Sequence, residues 1–312
     1  MVITVTLNPA IDKVLEVPGF SVGAHARAAV RLLLPAGKGN NVARGIVRLG
    51  GAAEARGLVG RGEERLFTES LRAEGVEPRF TAVDGLTRTN TTVLDPDAHT
   101  TTHLREPGLR VCPGDVAAIR DALARRIAEL SPDPFVLFAG SVPAGCGPAD
   151  FAGLLEACAD QGARLVVDTN GPPLRAAVET GRVDTIKPNE EELAECLGYA
   201  PAADTAGEAA AGLLDRVGTV LLTLGARGAL LVRPGLVVGR RCPLRDDEVR
   251  NTTGCGDAFL AGWLAAVEVG LAPDEALGRA VAAGGAAATG EATVSYTVSD
   301  VEGLLARCEP FG

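Results

Sequence analysis

Short runs of apolar residues recur along this chain, and between them lie stretches with helical spacing, many of them ended by glycine. The runs read as strands are Val2–Leu7, Ala53–Val59, Phe135–Ala139, Arg164–Asp168, Thr185–Lys187, Val220–Leu224 and Ala229–Val232. Several show no polar alternation, as expected of parallel strands covered on both faces. The intervening spacing predicts helices over Asn40–Leu49, Glu64–Glu74, Pro113–Leu130, Ala149–Gln161, Glu190–Leu197 and Thr205–Arg216. Three more follow over Asp257–Gly270, Pro273–Thr289 and Ser299–Cys308. Glycines 50, 75, 162, 198 and 218 supply stop signals. This order implies a three-layer α/β/α, doubly wound, mainly parallel sheet, with ligands at the carboxyl ends of its strands.

Two segments break the alternation. Lys13–Leu34 and Arg88–Glu106 are rich in Val, Thr and Leu without helical periodicity, and Asp95-Pro-Asp-Ala98 suits a hairpin turn. They are expected to form a small β-sheet lid inserted into the core. The chain then divides into a core of 1–12, 35–87 and 107–312 and a lid of 13–34 and 88–106. No internal repeat or low-complexity linker interrupts it.

Composition narrows the chemistry. With 46% hydrophobic and 22% charged residues, 312 residues can bury a full core. A net charge of −10 argues against nucleic acid or an anionic membrane as the main partner, though a few cations in one cleft still suffice for a phosphate. No run reaches the roughly 18 apolar residues of a membrane span. The start, Met-Val-Ile-Thr-Val-Thr-Leu, has no basic region ahead of an apolar one, so no signal peptide is expected and the location expected is cytoplasmic. Seven scattered cysteines without a C-x-x-C pair read as reduced thiols rather than disulfides or a zinc site. His99 and His103, four apart in the lid, read as strand or surface residues before metal ligands.

Only three of the 30 basic residues are lysine: Lys13, Lys38 and Lys187. A coding bias toward arginine explains the imbalance. Where lysine survives inside a Gly- or Pro-bounded motif, its compact charge suits a tight phosphate pocket that a guanidinium does not. Lys38 and Lys187 meet that condition.

The densest motif is Asn251-Thr-Thr-Gly-Cys-Gly-Asp257, leading into an apolar helix. Gly254 and Gly256 permit a tight turn with uncovered N–H groups, and the helix aims its positive end at that turn. Such a turn takes an anion, with Asp257 placed to accept a proton. A helix capped by Gly and Asp is an equally good reading of this motif alone.

Other motifs share that ambiguity. Pro35-Ala-Gly-Lys-Gly-Asn-Asn41 is a Gly-rich helix entry but not a Walker loop, since Gly39 follows Lys38. Asn41 there can bond a hydroxyl or phosphate. Leu7-Asn-Pro-Ala-Ile-Asp12 would put Asp12 at the sheet's carboxyl edge, where a carboxylate suits sugar hydroxyls; an exposed turn Asp is the plainer reading. In Lys187-Pro-Asn-Glu-Glu-Glu192, Asn189 and Glu192 share a helix face and can hold a hydrated Mg²⁺, or simply cap the helix. Thr223-Leu-Gly-Ala-Arg-Gly228 is a strand–glycine turn, or simple hairpin chemistry. Ser141 follows a strand but makes no G-x-S-x-G, which leaves a serine hydrolase poorly supported. The first strand lacks the Gly-rich turn that a dinucleotide-dependent dehydrogenase needs.

Taken in order, these five motifs resemble the ribokinase/phosphofructokinase-B family of carbohydrate kinases, over essentially the whole chain. The Asn-Pro-Ala-Ile-Asp12 start and the lid segments are similar to the family's hexose-phosphate branch. The resemblance implies a ribokinase-like fold, ATP as phosphoryl donor with Mg²⁺, and Asp257 as catalytic base. It implies an anion hole at Gly254, Cys255 and Gly256, and ATP and Mg²⁺ contacts from Lys187, Asn189 and Glu192. Thr223, Gly225 and Gly228 correspond to the nucleotide turn. Asp12, Gly37, Lys38 and Asn41 correspond to sugar-binding positions. Arg88, Ser141, Arg27 and Arg105 correspond to contacts with the substrate's own phosphate. A homodimer through the lid is also implied. Three departures stand out: Ala36 replaces a usual glycine, Asn40 an aliphatic residue and Cys255 an alanine.

The expected reaction is phosphorylation of fructose 1-phosphate to the 1,6-bisphosphate. Tagatose 6-phosphate, fructose 6-phosphate or an unphosphorylated sugar or nucleoside are rival substrates. The rival from another class is a non-catalytic sugar- or nucleotide-binding regulator, which would have no use for Asp257.

Overall fold

Neighbouring residues of one strand are buried in opposite directions, which is why the apolar runs do not alternate. The computed structural model describes residues 1–130, 133–202, 204–291 and 294–311. The first half contains β1 (Val2–Thr6), β2 (Ala10–Glu16), β3 (Ala29–Ala36), α1 (Lys38–Arg48), β4 (Ala53–Gly60) and α2 (Glu64–Ala73). It continues with β5 (Glu77–Val83), β6 (Arg88–Asp95), β7 (Thr100–Arg105), α3 (Pro113–Ala128), β8 (Phe135–Ala139) and α4 (Pro148–Ala159). Next come β9 (Arg164–Asp168), α5 (Gly171–Glu179), β10 (Val183–Ile186), α6 (Glu190–Leu197), α7 (Ala206–Ala211) and β11 (Val217–Thr223). The chain ends with β12 (Ala229–Arg233), β13 (Leu236–Arg241), α8 (Cys255–Glu268), α9 (Pro273–Thr289), α10 (Val298–Leu305) and β14 (Glu309–Phe311).

A ten-stranded sheet takes the order β14-β13-β12-β11-β10-β9-β8-β1-β4-β5. From β5 to β11 the pairs are parallel; β12, β13 and β14 extend the edge antiparallel. One core receives Ile3, Val5, Val136, Phe138, Leu165 and Val167 with residues of α3 to α7. The other receives Val2, Leu137, Val166 and Leu221 with residues of α1, α8 and α9. The expected three-layer α/β fold is present. Its strand order reverses between β1 and β8, the switch point where such sheets bind ligands.

A separate four-stranded sheet has the order β3-β2-β6-β7. Its first strand begins at Ala10, so Asp12 lies within this small sheet and not at the carboxyl edge of the large one. The Asp95 turn forms as read: Asp95 Oδ1 accepts from Asp97 N (3.0 Å) and Ala98 N (3.3 Å). His99 stands in that turn with φ 52°, outside the strand that carries His103.

Four elements escaped the periodicity reading. Strand β5 (Glu-Pro-Arg-Phe-Thr-Ala-Val) mixes polar and apolar residues, and its position at the sheet edge tolerates Pro78. Helix α5 opens Gly-Pro-Pro, which resembles a breaker but suits the first helical turn. Strands β13 and β14 lie at the opposite edge, where burial is partial. The helix expected over Thr205–Arg216 stops at Ala211 and continues as turns.

Helix α8 is buried almost all round, from Asp257 through Leu264 and again at Ala266. It packs tightly on α9, because a Cβ at Gly262 would lie 2.8 Å from Arg279 O and 2.9 Å from Ala283 Cβ. This sandwiching aims the α8 N-terminus at the carboxyl ends of the central strands.

Candidate active site

The peptide after each central parallel strand contributes to one cluster: Asn8 after β1, Gly140 and Ser141 after β8, Asp168 closing β9 and Lys187 after β10. The starts of α1 and α8 face the same group.

Gly254 caps α8 with φ 84°, a left-handed conformation open to glycine at little cost. Cys255 and Gly256 follow, with N–H groups at a helix start where no intrahelical acceptor precedes them. Asp257 is the third helical residue and only 6% exposed. Asn41 Nδ2, from the first turn of α1, donates to Asp257 Oδ2 at 2.9 Å. Burial pushes the Asp257 carboxyl up to about 6, against the pull of the Asn41 hydrogen bond and with nearby Asp168 adding repulsion. Cys255 has its pKa raised by burial and by Asp257, so it is a neutral thiol that offers the turn its backbone N–H.

Asp168 organises the two lysines. Lys38 Nζ lies 3.3 Å from both of its carboxylate oxygens, and Lys187 Nζ 3.1 Å from Oδ1. Lys187 and Asp168 are both buried, so each compensates the other's charge. For Lys38, burial works against the charge, but Asp168, Asp257 and Glu192 outweigh it and raise its pKa. Lys187 reaches the α8 turn: a Cβ added at Gly256 would lie 3.7 Å from its Nζ. A buried carboxylate, two ammonium groups and a helix N-terminus therefore share one space. Sequence reasoning missed Asp168. The available signal was a carboxylate closing an apolar strand at the sheet's carboxyl edge.

The remaining candidates take several positions. Gly37 and Gly39 are required by packing on β1, since a Cβ there would meet Thr6 Cγ2 at 2.7 Å and Thr6 Oγ1 at 2.5 Å. Asn189 and Glu192 form a reciprocal cap: Glu192 N donates to Asn189 Oδ1 (2.8 Å) and Asn189 N to Glu192 Oε2 (2.9 Å). Thr223 N donates to Pro188 O at 3.0 Å, tying the end of β11 to the start of α6. Beyond it, Gly225–Arg227 makes a 3₁₀ turn, and Gly228 packs on β13, where a Cβ would strike Arg240 O. Arg227 closes this turn onto α6 through Glu190 at 2.5 Å.

On the small-sheet side, Arg88 Nη2 and Nε donate to Asn8 O (3.1 Å) and Pro9 O (3.3 Å). Asn8 Nδ2 in turn donates to Ser141 Oγ at 3.1 Å. Asp12 Oδ1 accepts from Asn90 Nδ2 at 3.0 Å. Burial lowers the Arg88 pKa, Asp12 opposes this, and Arg105 adds like-charge repulsion. Arg88, Arg105 and Asp12 are thus neighbours. Arg27 is exposed in the segment before β3, and no hydrogen bond or ion pair among the described residues joins it to the cluster. Among the described residues, no group of three or more His, Cys, Asp or Glu is arranged to hold a metal ion.

Comparison with known proteins shows the family and the fold. The model of the pfkB family carbohydrate kinases matches residues 5–298. The chain is 36% identical over 270 residues to a 1-phosphofructokinase of Rhodobacter capsulatus, covering 86% of this chain and 84% of that one. It is 31% identical to the 1-phosphofructokinase of Bacillus subtilis, covering 93% of each chain. The solved structure of Escherichia coli phosphofructokinase-2 in complex with potassium superposes with a TM-score of 0.90, at 25% identity over 98% of each chain. No helix among the described residues is long and apolar enough to cross a membrane.

Proposed function

From the premise that this chain belongs to the pfkB family of carbohydrate kinases, we propose that it transfers the γ-phosphoryl group of ATP to fructose 1-phosphate, giving fructose 1,6-bisphosphate. The observation that carries the mechanism is Asp257: a buried carboxylate in the first turn of α8, held by Asn41 and flanked by Lys38 and Lys187. The sugar's 6-hydroxyl gives its proton to Asp257, and its oxygen attacks the γ-phosphorus in line while ADP departs. The N–H groups of Cys255 and Gly256 and the Lys187 ammonium balance charge on the transferring group. Gly225 and Gly228 shape the turn that receives the nucleotide beside Thr223.

Asn189 and Glu192 fit a hydrated Mg²⁺ better than a directly ligated one, because one oxygen of each already accepts a backbone N–H. Mg²⁺ held there would offset the negative charge of the ATP phosphates. On the opposite side, Asp12 and Asn41 suit sugar hydroxyls, and Arg88, Arg105 and Ser141 suit the substrate's existing phosphate. Arg27 joins them only if the small sheet closes. Exposed Val30, Leu32, Leu33 and Leu104 on that sheet support a homodimer formed through it.

Coupled assays with fructose 1-phosphate, fructose 6-phosphate, tagatose 6-phosphate and free fructose test the substrate. The expected ranking puts fructose 1-phosphate first in kcat/KM, and equal rates with free fructose would sink the phosphate contacts. Asp257→Asn should lower kcat by roughly 10²–10⁴-fold with nucleotide binding retained. A variant that keeps wild-type turnover removes the base assignment, and an inactive wild-type protein favours the binding regulator.

A further inference from the structure

Cys242 and Cys308 belong to no part of the phosphoryl-transfer site. Strands β13 and β14 pair antiparallel with Gly239 opposite Phe311, Arg240 opposite Pro310 and Arg241 opposite Glu309. Cys242 and Cys308 are the residues immediately beyond the last pair of this register, where continuing it would set them opposite each other. Directly opposed residues of antiparallel strands have Cα atoms about 4.5–5.5 Å apart, within the range a disulfide spans. The two thiols are close enough to influence each other's ionisation, Cys242 Sγ donates to Leu304 O at 3.7 Å, and neither is in a disulfide. Both sulfurs face α9: a Cβ at Gly285 would lie 3.6 Å from Cys242 Sγ, and Cys308 Sγ lies 3.8 Å from Gly278 O. Cys308 also lines an open cavity of about 350 Å³ with Arg240, Asp274, Arg279 and Leu305, which gives a small reagent a way in.

We propose that Cys242 and Cys308 form a reversible disulfide by exchange with a low-molecular-weight disulfide. The Cys242 thiolate attacks one sulfur of the reagent; a new S–S bond forms, the reagent's own bond breaks, and one thiolate leaves. Cys308 then gives up its proton and attacks Cys242 Sγ, expelling the second thiolate. Two protein thiols are oxidised, the reagent is reduced to two thiols, and the two protons end on the leaving groups. The neighbouring Cys308 thiol and the charge of Arg307 favour the thiolate of Cys242, lowering its pKa despite burial. The bond would tie the C-terminal strand to the sheet edge and close a loop containing α8, α9 and α10. It would also anchor the segment that leads from β13 to Gly254.

The test treats the full-length protein with oxidised glutathione, traps free thiols and maps the peptides by mass spectrometry. Exposed Cys112 serves as the internal control for reagent reactivity. The expected result is loss of both the Cys242 and Cys308 thiols with one peptide pair linking them, restored by dithiothreitol. In Cys308→Ser the link disappears and Cys242 accumulates as the glutathione adduct. A stable adduct on either cysteine in the wild-type protein would overturn the proposal. So would Cys112 modification with both target thiols untouched.

Discussion

As the proposed base, Asp257 carries opposed demands at a single carboxyl. Its surroundings favour the neutral acid, whereas accepting a proton requires the carboxylate. With its pKa pushed up to about 6, the free enzyme should lose kcat/KM with unit slope below pH 6 and level off above about pH 7. A profile flat to pH 5 would contradict the assignment. Stability has the opposite sign. The folded state holds this proton more tightly than the unfolded chain, so the acid's stabilisation is full below about pH 4 and is lost as pH rises to 6. With its pKa raised to about 6, keeping Asp257 ionised at neutral pH costs the folded state roughly 3 kcal/mol. Asp257→Asn should therefore melt above the wild type at pH 7 while being inactive, as expected where function opposes stability. Asp168 has the complementary role, since Lys38 and Lys187 both depend on its charge.

At the scale of elements, the start of α8 matters more than its length. The helix is fixed by burial against α1 and α9, so its N-terminal N–H groups are presented by a rigid body. Gly256 tests this. A methyl there makes only ordinary contact with Lys187 Nζ at 3.7 Å, and alanine is a better helix former by about 1 kcal/mol. Gly256→Ala should melt at or slightly above the wild-type temperature, yet lose at least about tenfold in kcat/KM because the methyl occupies phosphoryl space. Normal kinetics would show that the turn is only a cap. The glycines before α1 behave differently. Their requirement lies in contact with Thr6, so substitution at Gly37 or Gly39 should cost folding before it costs chemistry.

On the scale of the molecule, the small sheet is the part left without cover. Its strand β3 is exposed along most of its length, with Val30 60%, Leu33 51% and, on β7, Leu104 55% accessible. A second copy laid on that face would remove these residues from water. If the proposed dimer forms through this face, Leu33→Glu combined with Leu104→Glu should give a monomer in light scattering and raise KM for the sugar phosphate. An unchanged mass for the double variant would move the contact elsewhere. Arg88 and Arg105 belong to the same sheet, so the proposed dimer contact and the proposed phosphate contacts would be coupled through it.

Much of this was legible before any coordinates. Apolar runs, glycine stops and helix-start residues are local signals, and they located the central strands, most helices and the α8 turn. Asp257, Lys38 and Lys187 stood out because their neighbours in sequence restrict the backbone. The edge strands β5, β13 and β14 were not legible, because half-exposed strands need no continuous apolar run. Asp168 looked like the end of a strand, and only packing brought Lys38 and Lys187 to it from residues 130 and 19 positions away. Asp12 moved to the small sheet because the chain turns within three residues of β1. Cys242 and Cys308 likewise become partners only through strand register, 66 residues apart. The sequence by itself determined the layers and the glycine turn that opens α8, since periodicity and glycine placement act over a few residues. Tertiary structure alone decided which charges share a site and which thiols face each other, because those distances are set by sheet order.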